Sequence, residues 1–137
     1  MIDTSGFVAS AVAFVIAFVA AGVFTILFKL IYQAATPYHE RTLIREGNVA
    51  AAVTLGAALL GYVLALASAL EHTVSLPEFA AWALLAGVIQ IVAFTIVRRV
   101  VMPDFSDRIV RGEMAAAIYM ASISLGVGLL NAACMSA

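Results

Sequence analysis

Long apolar runs alternate with short charged connections along this chain, at intervals that suit a membrane and not a soluble core. Four runs, roughly 6–28, 48–70, 79–97 and 114–135, each come near the ~20 residues a helix needs to cross ~30 Å of hydrocarbon. They predict four transmembrane helices. The first has no basic flank, carries Asp3 instead, and is longer than the apolar part of a secretory signal, so a retained helix is expected.

The pattern also repeats. Gly47-Asn48-Val49-Ala50-Ala51-Ala52 returns 65 positions later as Gly112-Glu113-Met114-Ala115-Ala116-Ala117, and Leu60-Gly61-Tyr62-Val63-Leu64 returns as Leu125-Gly126-Val127-Gly128-Leu129. Ala21-Gly22-Val23 matches Ala86-Gly87-Val88 at the same spacing, while Pro37 and Pro103 match at 66, so one residue is gained or lost nearby. The expected fold is an all-α membrane protein: four transmembrane helices as two tandem parallel-repeat helical hairpins. It is a single membrane domain over 1–137, with internal repeats 1–70 and 71–137. Each unit holds an even number of spans, so both copies share one orientation and a pseudo-two-fold axis runs along the membrane normal.

Turn chemistry refines the picture. Ser75-Leu-Pro-Glu78 has the form of a capping box with proline in the first turn, which starts the third span after a tight connection. Pro37 and Pro103 each follow a span and precede a short charged stretch, 38–46 and 105–111. Both stretches mix charge with aliphatic residues and read either as short interfacial helices or as coil.

Composition agrees with a lipid solvent, since 65% of residues are hydrophobic and 11% charged, with a mean hydropathy of +1.12. Small soluble domains bury too little surface to hide so much apolar side chain. The seven basic residues, Lys29, Arg41, Arg45, Arg98, Arg99, Arg108 and Arg111, lie in or beside the first and third connections, whereas the second carries Glu71, His72 and Glu78. The positive-inside rule puts the first and third connections in the cytoplasm and both termini outside. A net charge of -1 gives no reason to expect a nucleic-acid partner, and the one cysteine, Cys134, excludes an intrachain disulfide.

Small residues recur every fourth position: Ala57, Gly61, Ala65 and Ala69 on the second span, Ser124, Gly128 and Ala132 on the fourth, Ala13, Ala17 and Ala21 on the first. Such faces let helix backbones approach closely in lipid. Ala57, Gly61, Ala65, Gly126 and Gly128 are therefore the expected packing positions, and a surplus of small faces points to a homo-oligomer.

The polar residues within the spans are the only candidates for chemistry. Gln90 lies in the middle of the third span with Thr25 at the equivalent depth of the first, and Asn131 has no polar counterpart, since Leu66 stands there. Two readings hold for these three residues: interhelical bonding, or the lining of a solute path. Thr54, Ser68, Ser122 and Ser124 are expected to bond the preceding turn, and Tyr32, Tyr38 and Trp82 to anchor at the interfaces. Asn48 and Glu113 open the second and fourth spans, each after a glycine. They suit a helix cap and a helix dipole; with Arg45, Arg108 and Arg111 they could equally build a polar inner mouth for an ion or headgroup. Catalytic constellations are lacking: there is no carboxylate pair or histidine pair in a span, no phosphate loop and no Ser/His/Asp set. His39 and His72 fall on opposite sides of the membrane and cannot share a metal. No enzyme activity, cofactor or metal is expected.

Thr36-Pro37 with Glu40, Leu43-Ile44, Asn48-x-Ala50-Ala51, Leu59-Leu60-Gly61-Tyr62 and Ala67-Ser68-Ala69 together resemble the small four-span bacterial inner-membrane proteins known as domain of unknown function 350, the YjfL-like family. Trp82, Gln90, Pro103, Ala115-Ala116 and the closing Gly128-Leu-Leu-Asn131-Ala-Ala-Cys134-Met135 extend the resemblance over the whole chain. Two departures stand out: Ala65 replaces a frequent proline, removing an expected kink, and Glu113 replaces a commoner neutral residue. The family's usual genetic neighbours, phage-shock-like proteins and ATP-grasp peptide ligases, imply a membrane-stress module. The expected function is a non-catalytic oligomeric scaffold that sits in the lipid bilayer and recruits cytoplasmic membrane-stress proteins through its basic loops. The alternative is a small ion or solute channel.

Overall fold

In the computed structural model, which describes residues 4–135, the regular structure of those residues is entirely helical. Four elements are long and apolar enough to span a membrane. They are α1 (Thr4–Ala35), α3 (Val49–His72), α4 (Leu76–Ile96, continued to Val101) and α6 (Met114–Met135). Two short helices, α2 (Glu40–Arg45) and α5 (Phe105–Val110), fill the basic connections, so the charged stretches are helical and not coil. Asp3 lies outside the described residues.

Local sequence sets the boundaries. α1 runs on past Lys29 because nothing breaks it before Pro37, which pushes its predecessor out of helical geometry. Its 32 residues rise about 48 Å, more than the hydrocarbon requires, so the Lys29 end reaches headgroup depth. Ser75 caps α4, its Oγ accepting from the Glu78 N–H at 3.4 Å, with proline in the first turn as the capping-box pattern requires. Beyond Ile96 the helix widens into a π-turn, in which the Met102 N–H reaches back to the Val97 carbonyl at 2.8 Å. A π-turn absorbs one residue more than an α-turn. It lies where the sequence spacing changes from 65 at Ala21 and Ala86 to 66 at Pro37 and Pro103.

α2 and α5 end in the same way. Gly47 and Gly112 sit at φ +85° and +76°, a left-handed conformation that only glycine adopts cheaply. The Gly47 N–H bonds the Ile44 carbonyl and the Asn48 N–H the Leu43 carbonyl; 65 residues on, Gly112 bonds Ile109 and Glu113 bonds Arg108. This paired 5→2 and 6→1 closure is the Schellman motif, and it turns each short helix sharply into a span.

The core is the α3–α6 pair. At their crossing the backbones touch, Gly128 resting on Gly61 and Gly61 facing the Ser124 carbonyl and the Gln90 amide. Ala57 and Ala65 are buried. Gly126 is not part of this approach, because a side chain added there would meet nothing within 4 Å. Although it lies 65 positions after Gly61, it faces away from the seam that Ser124 and Gly128 form.

α4 leans on both members of the pair. α1 is held through Phe24, edge-on to Phe79 at 5.7 Å, and along its basic half, where Phe28 stacks on Tyr62 at 4.3 Å and Tyr32 meets Phe94 at 4.6 Å. Toward its other end Phe14 and Phe18 are about 70% exposed, as suits a helix with lipid for a neighbour.

Candidate functional site

The intramembrane polar residues point at neighbouring backbones. The Gln90 amide donates to the Ser124 carbonyl of α6 at 3.3 Å, and the Asn131 amide donates back to the Ala86 carbonyl of α4 at 3.4 Å. The Tyr62 hydroxyl joins α3 to α4 through the Ala83 carbonyl at 3.0 Å. Ser68, expected to bond its own helix, reaches the Ala132 carbonyl at 2.7 Å and ties α3 to α6. Thr25 does stay within its own helix, donating to the Ala21 carbonyl at 2.8 Å. Depth alone therefore does not unite Thr25 with Gln90. Where lipid offers no hydrogen bonds, a polar end that finds a carbonyl acts as an interhelical tie.

Gln90 is only half satisfied, since its Oε1 is buried without a partner. An interhelical bond in a membrane is worth about 0.6 kcal/mol, less than the ~1–3 kcal/mol cost of a buried unpaired polar atom. Gln90→Leu is accordingly expected to match or exceed the wild type in thermal stability in detergent, whereas Gln90→Ala, which opens a void beside Gly61, loses ~2 kcal/mol or more. A collapse of Gln90→Leu would show that the amide does more than tie two helices.

At the basic end the two glycine turns meet. A depression of about 470 Å³ lies between them, lined by Gly47, Asn48 and Val49 from one side and by Val110, Arg111 and Gly112 from the other. Asn48 closes the seam. Its Oδ1 caps α3 by accepting from the Ala51 N–H at 3.0 Å, while its Nδ2 donates to the Ile109 carbonyl at 2.8 Å and the Val110 carbonyl at 3.3 Å. Glu113, at the equivalent position, instead gathers charge: its carboxylate takes Arg108 at 3.1 Å and Arg111 at 3.5 Å. Arg108 also holds Asp104 at 2.7 Å, and that hydrogen bond keeps the Asp104 carboxyl below the usual range and raises the arginine. Arg45 stands exposed at the end of α2 and does not line the depression.

A second polar cluster, not foreseeable from the pattern of the spans, lies beside these turns. Tyr32 and Tyr38 do not lie out at the interface as expected, but are buried, with both hydroxyls unpartnered; the Arg98 Nε is enclosed and unpartnered too. Phe94 stands between them, 4.6 Å from the Tyr32 ring and 6.0 Å below the Arg98 guanidinium. Glu40, the first residue of α2, is 2% exposed, and its carboxyl lies 2.6 Å from the Thr36 hydroxyl. That hydroxyl also lies 2.9 Å from the Gln33 carbonyl and has one hydrogen to give. Thr36 Oγ1 is the donor to the Glu40 carboxyl, with the Gln33 and Tyr38 carbonyls as the other acceptors within its reach. The Thr36-Pro37-x-x-Glu40 spacing was the available signal.

Burial raises the Glu40 pKa, the Thr36 hydrogen bond opposing it in part, and burial likewise raises that of Tyr38. A carboxyl whose folded pKa exceeds its unfolded value favours the folded state fully below the unfolded pKa, and that contribution is lost as pH rises through the folded one. The window thus opens near the ordinary value of 4.5. Glu40→Gln is expected to raise the melting midpoint near neutral pH by roughly 2–4 °C and to flatten its fall with rising pH. A variant as pH-sensitive as the wild type would place the titration elsewhere.

The family model for a domain of unknown function, DUF350, matches residues 4–135, the whole described chain. The chain belongs to the DUF350 family. It is 41% identical over 111 residues to the UPF0719 inner membrane protein YjfL of Escherichia coli K12, covering 81% of this chain and 83% of that one. The YjfL protein of Escherichia coli O157:H7 matches to the same extent. No solved structure matches. This DUF350 chain is therefore an integral, multi-pass protein of the inner membrane; at its seams Asn48, Gln90 and Asn131 donate to carbonyls of other helices, and Gly61 and Gly128 pack against each other.

Proposed function

We propose that this DUF350 protein is a non-catalytic membrane scaffold of the bacterial envelope, one that recruits cytoplasmic partners to the bilayer through α2 and α5 as part of a membrane-stress response. The observation that carries the reading is the pair of bonds from Asn48 to the Ile109 and Val110 carbonyls, which join the two basic helices into one platform. Arg41, Arg45 and Arg111 stand exposed on it. Glu46, Asp104 and Asp107 are exposed beside them, so the platform presents both signs of charge and suits a partner face of complementary pattern. The donors of Gln90, Asn131, Ser68 and Tyr62 are meanwhile engaged with carbonyls, which favours a scaffold over a solute path. The stress role follows from the family resemblance, and the cytoplasmic position of the platform from its charge.

A second copy fits best along α1, whose Ala13 remains exposed while the small faces of α3 and α6 are used internally.

In-cell crosslinking to cytoplasmic proteins is the test. Arg41→Glu, Arg45→Glu and Arg111→Glu together should abolish capture while leaving membrane insertion intact; unchanged capture would overturn the proposal. Orientation is checked separately in a Cys134→Ser background. An impermeant maleimide added outside should label Thr73→Cys and spare Thr42→Cys.

A further inference from the structure

α1 and α4 diverge along their basic halves around an apolar groove of about 290 Å³. Phe24, Phe28 and Ile31 of α1 line one side, Gly87 and Ile91 of α4 the other, and α3 contributes the Tyr62 ring. The rims are open to lipid, Leu84 and Val88 being about 60% exposed. At this volume, at the small end of the ~300–1,000 Å³ usual for ligand pockets, the groove suits one hydrocarbon chain and not a whole two-chain lipid.

The groove leads to a charged end. On α4, Gly87 and Ile91 are followed at helical spacing by Thr95 and then Arg98. Ring contacts trace the same line: Phe28 to Tyr32 at 6.1 Å, Tyr32 to Phe94 at 4.6 Å, and Phe94 to the Arg98 guanidinium at 6.0 Å. From Gly87 to Arg98 the helix rises about 16 Å, half the hydrocarbon thickness, which is one leaflet. Beneath that end the Tyr32 hydroxyl, the Tyr38 hydroxyl and the Arg98 Nε–H are enclosed without partners, while Arg98 itself remains part-exposed. The nearby carboxyl of Glu40 is engaged by Thr36. Arg99 is exposed beside Arg98, and Lys29 is exposed on α1. This is an end rich in donors and positive charge, complementary to a group made of acceptor oxygens.

We infer that the groove between α1 and α4 holds one acyl chain of an anionic glycerophospholipid whose phosphate docks at Arg98. A zwitterionic lipid would bring its own ammonium against Lys29, Arg98 and Arg99. The inference is independent of the scaffold proposal, because the groove lies on the lipid side of the helices and the platform at their ends.

The test offers the purified full-length protein equal amounts of phosphatidylglycerol and phosphatidylethanolamine with identical chains, and counts retained lipids by native mass spectrometry. One phosphatidylglycerol should be retained with at least about a five-fold preference, the scale of one basic residue at a membrane surface. Arg98→Gln should bring that preference close to parity. Gly87→Leu, which fills the groove, should reduce retention of both lipids; Val88→Trp does the same from an exposed position, should Gly87→Leu fail to fold. Inorganic phosphate in excess should leave the lipid bound. Equal retention of the two lipids, an unchanged preference in Arg98→Gln, or displacement by inorganic phosphate would each overturn the inference, the last by showing a site for free phosphate.

Discussion

Gly128→Ala and Gly61→Ala are each expected to cost at least about 3 kcal/mol, the upper end for overpacking a core, and their leucine counterparts to yield no monodisperse protein in detergent. The reason is what the new atoms would strike. A Cβ on Gly128 falls on the Gly61 backbone, and one on Gly61 falls on the Ser124 carbonyl. Side chains can rotate away from an intruder; a helix backbone can give only by separating the two helices. Separation would also break the Ser68 bond to Ala132 along the same seam, so the losses compound. Gly126→Ala is the internal control, since it has open space and gains helix propensity. Size-exclusion profiles and melting midpoints of the three alanine variants decide the matter. A Gly128→Ala midpoint within roughly 2 °C of wild type would mean that the backbones are not in contact.

That pair of glycines also marks the limit of what the sequence reveals. The hydropathy runs located all four spans, because lipid imposes length and apolarity on every segment that crosses it. Gly47 and Gly112 were legible as sharp turns for a similar reason: a left-handed residue leaves few alternatives. Pairing was less legible. Repeat spacing matched Gly61 with Gly126, yet the observed contact is between Gly61 and Gly128, since burial follows the face of a helix and not its alignment to a copy. Thr25 and Gln90 share a depth but not a neighbour. The cluster of Tyr32, Tyr38, Glu40 and Arg98 was missed because its members are spread over 67 positions of chain, and each alone has an ordinary interfacial explanation. A buried carboxyl is visible only once the chain has folded over it.

The two copies of the turn therefore carry different work, and their divergence at one position concentrates the organisation of the basic end. Glu113 binds arginines at the surface, where each ion pair contributes ~0–1 kcal/mol. Asn48 reaches across to the backbone of the other half, and only a side chain with both an acceptor and a donor can do so.

Asn48→Ala is expected to lower stability by about 2–4 kcal/mol, being the sum of a lost helix cap at ~1 kcal/mol and two lost donor bonds at ~0.5–1.5 kcal/mol each. Asn48→Asp separates these terms. Aspartate caps as well as asparagine and favours the positive helix end, so if capping were the whole role the variant would match the wild type. It carries no hydrogen to donate, however, and would set a carboxylate against the Ile109 and Val110 carbonyls that Asn48 Nδ2 now satisfies. A melting midpoint for Asn48→Asp as low as that of Asn48→Ala, with faster hydrogen exchange at the amides of α5, would establish the tie between the two halves as the dominant role. Wild-type stability in Asn48→Asp would reduce Asn48 to a cap and leave α2 and α5 as two independent surfaces, which no single basic platform could then explain.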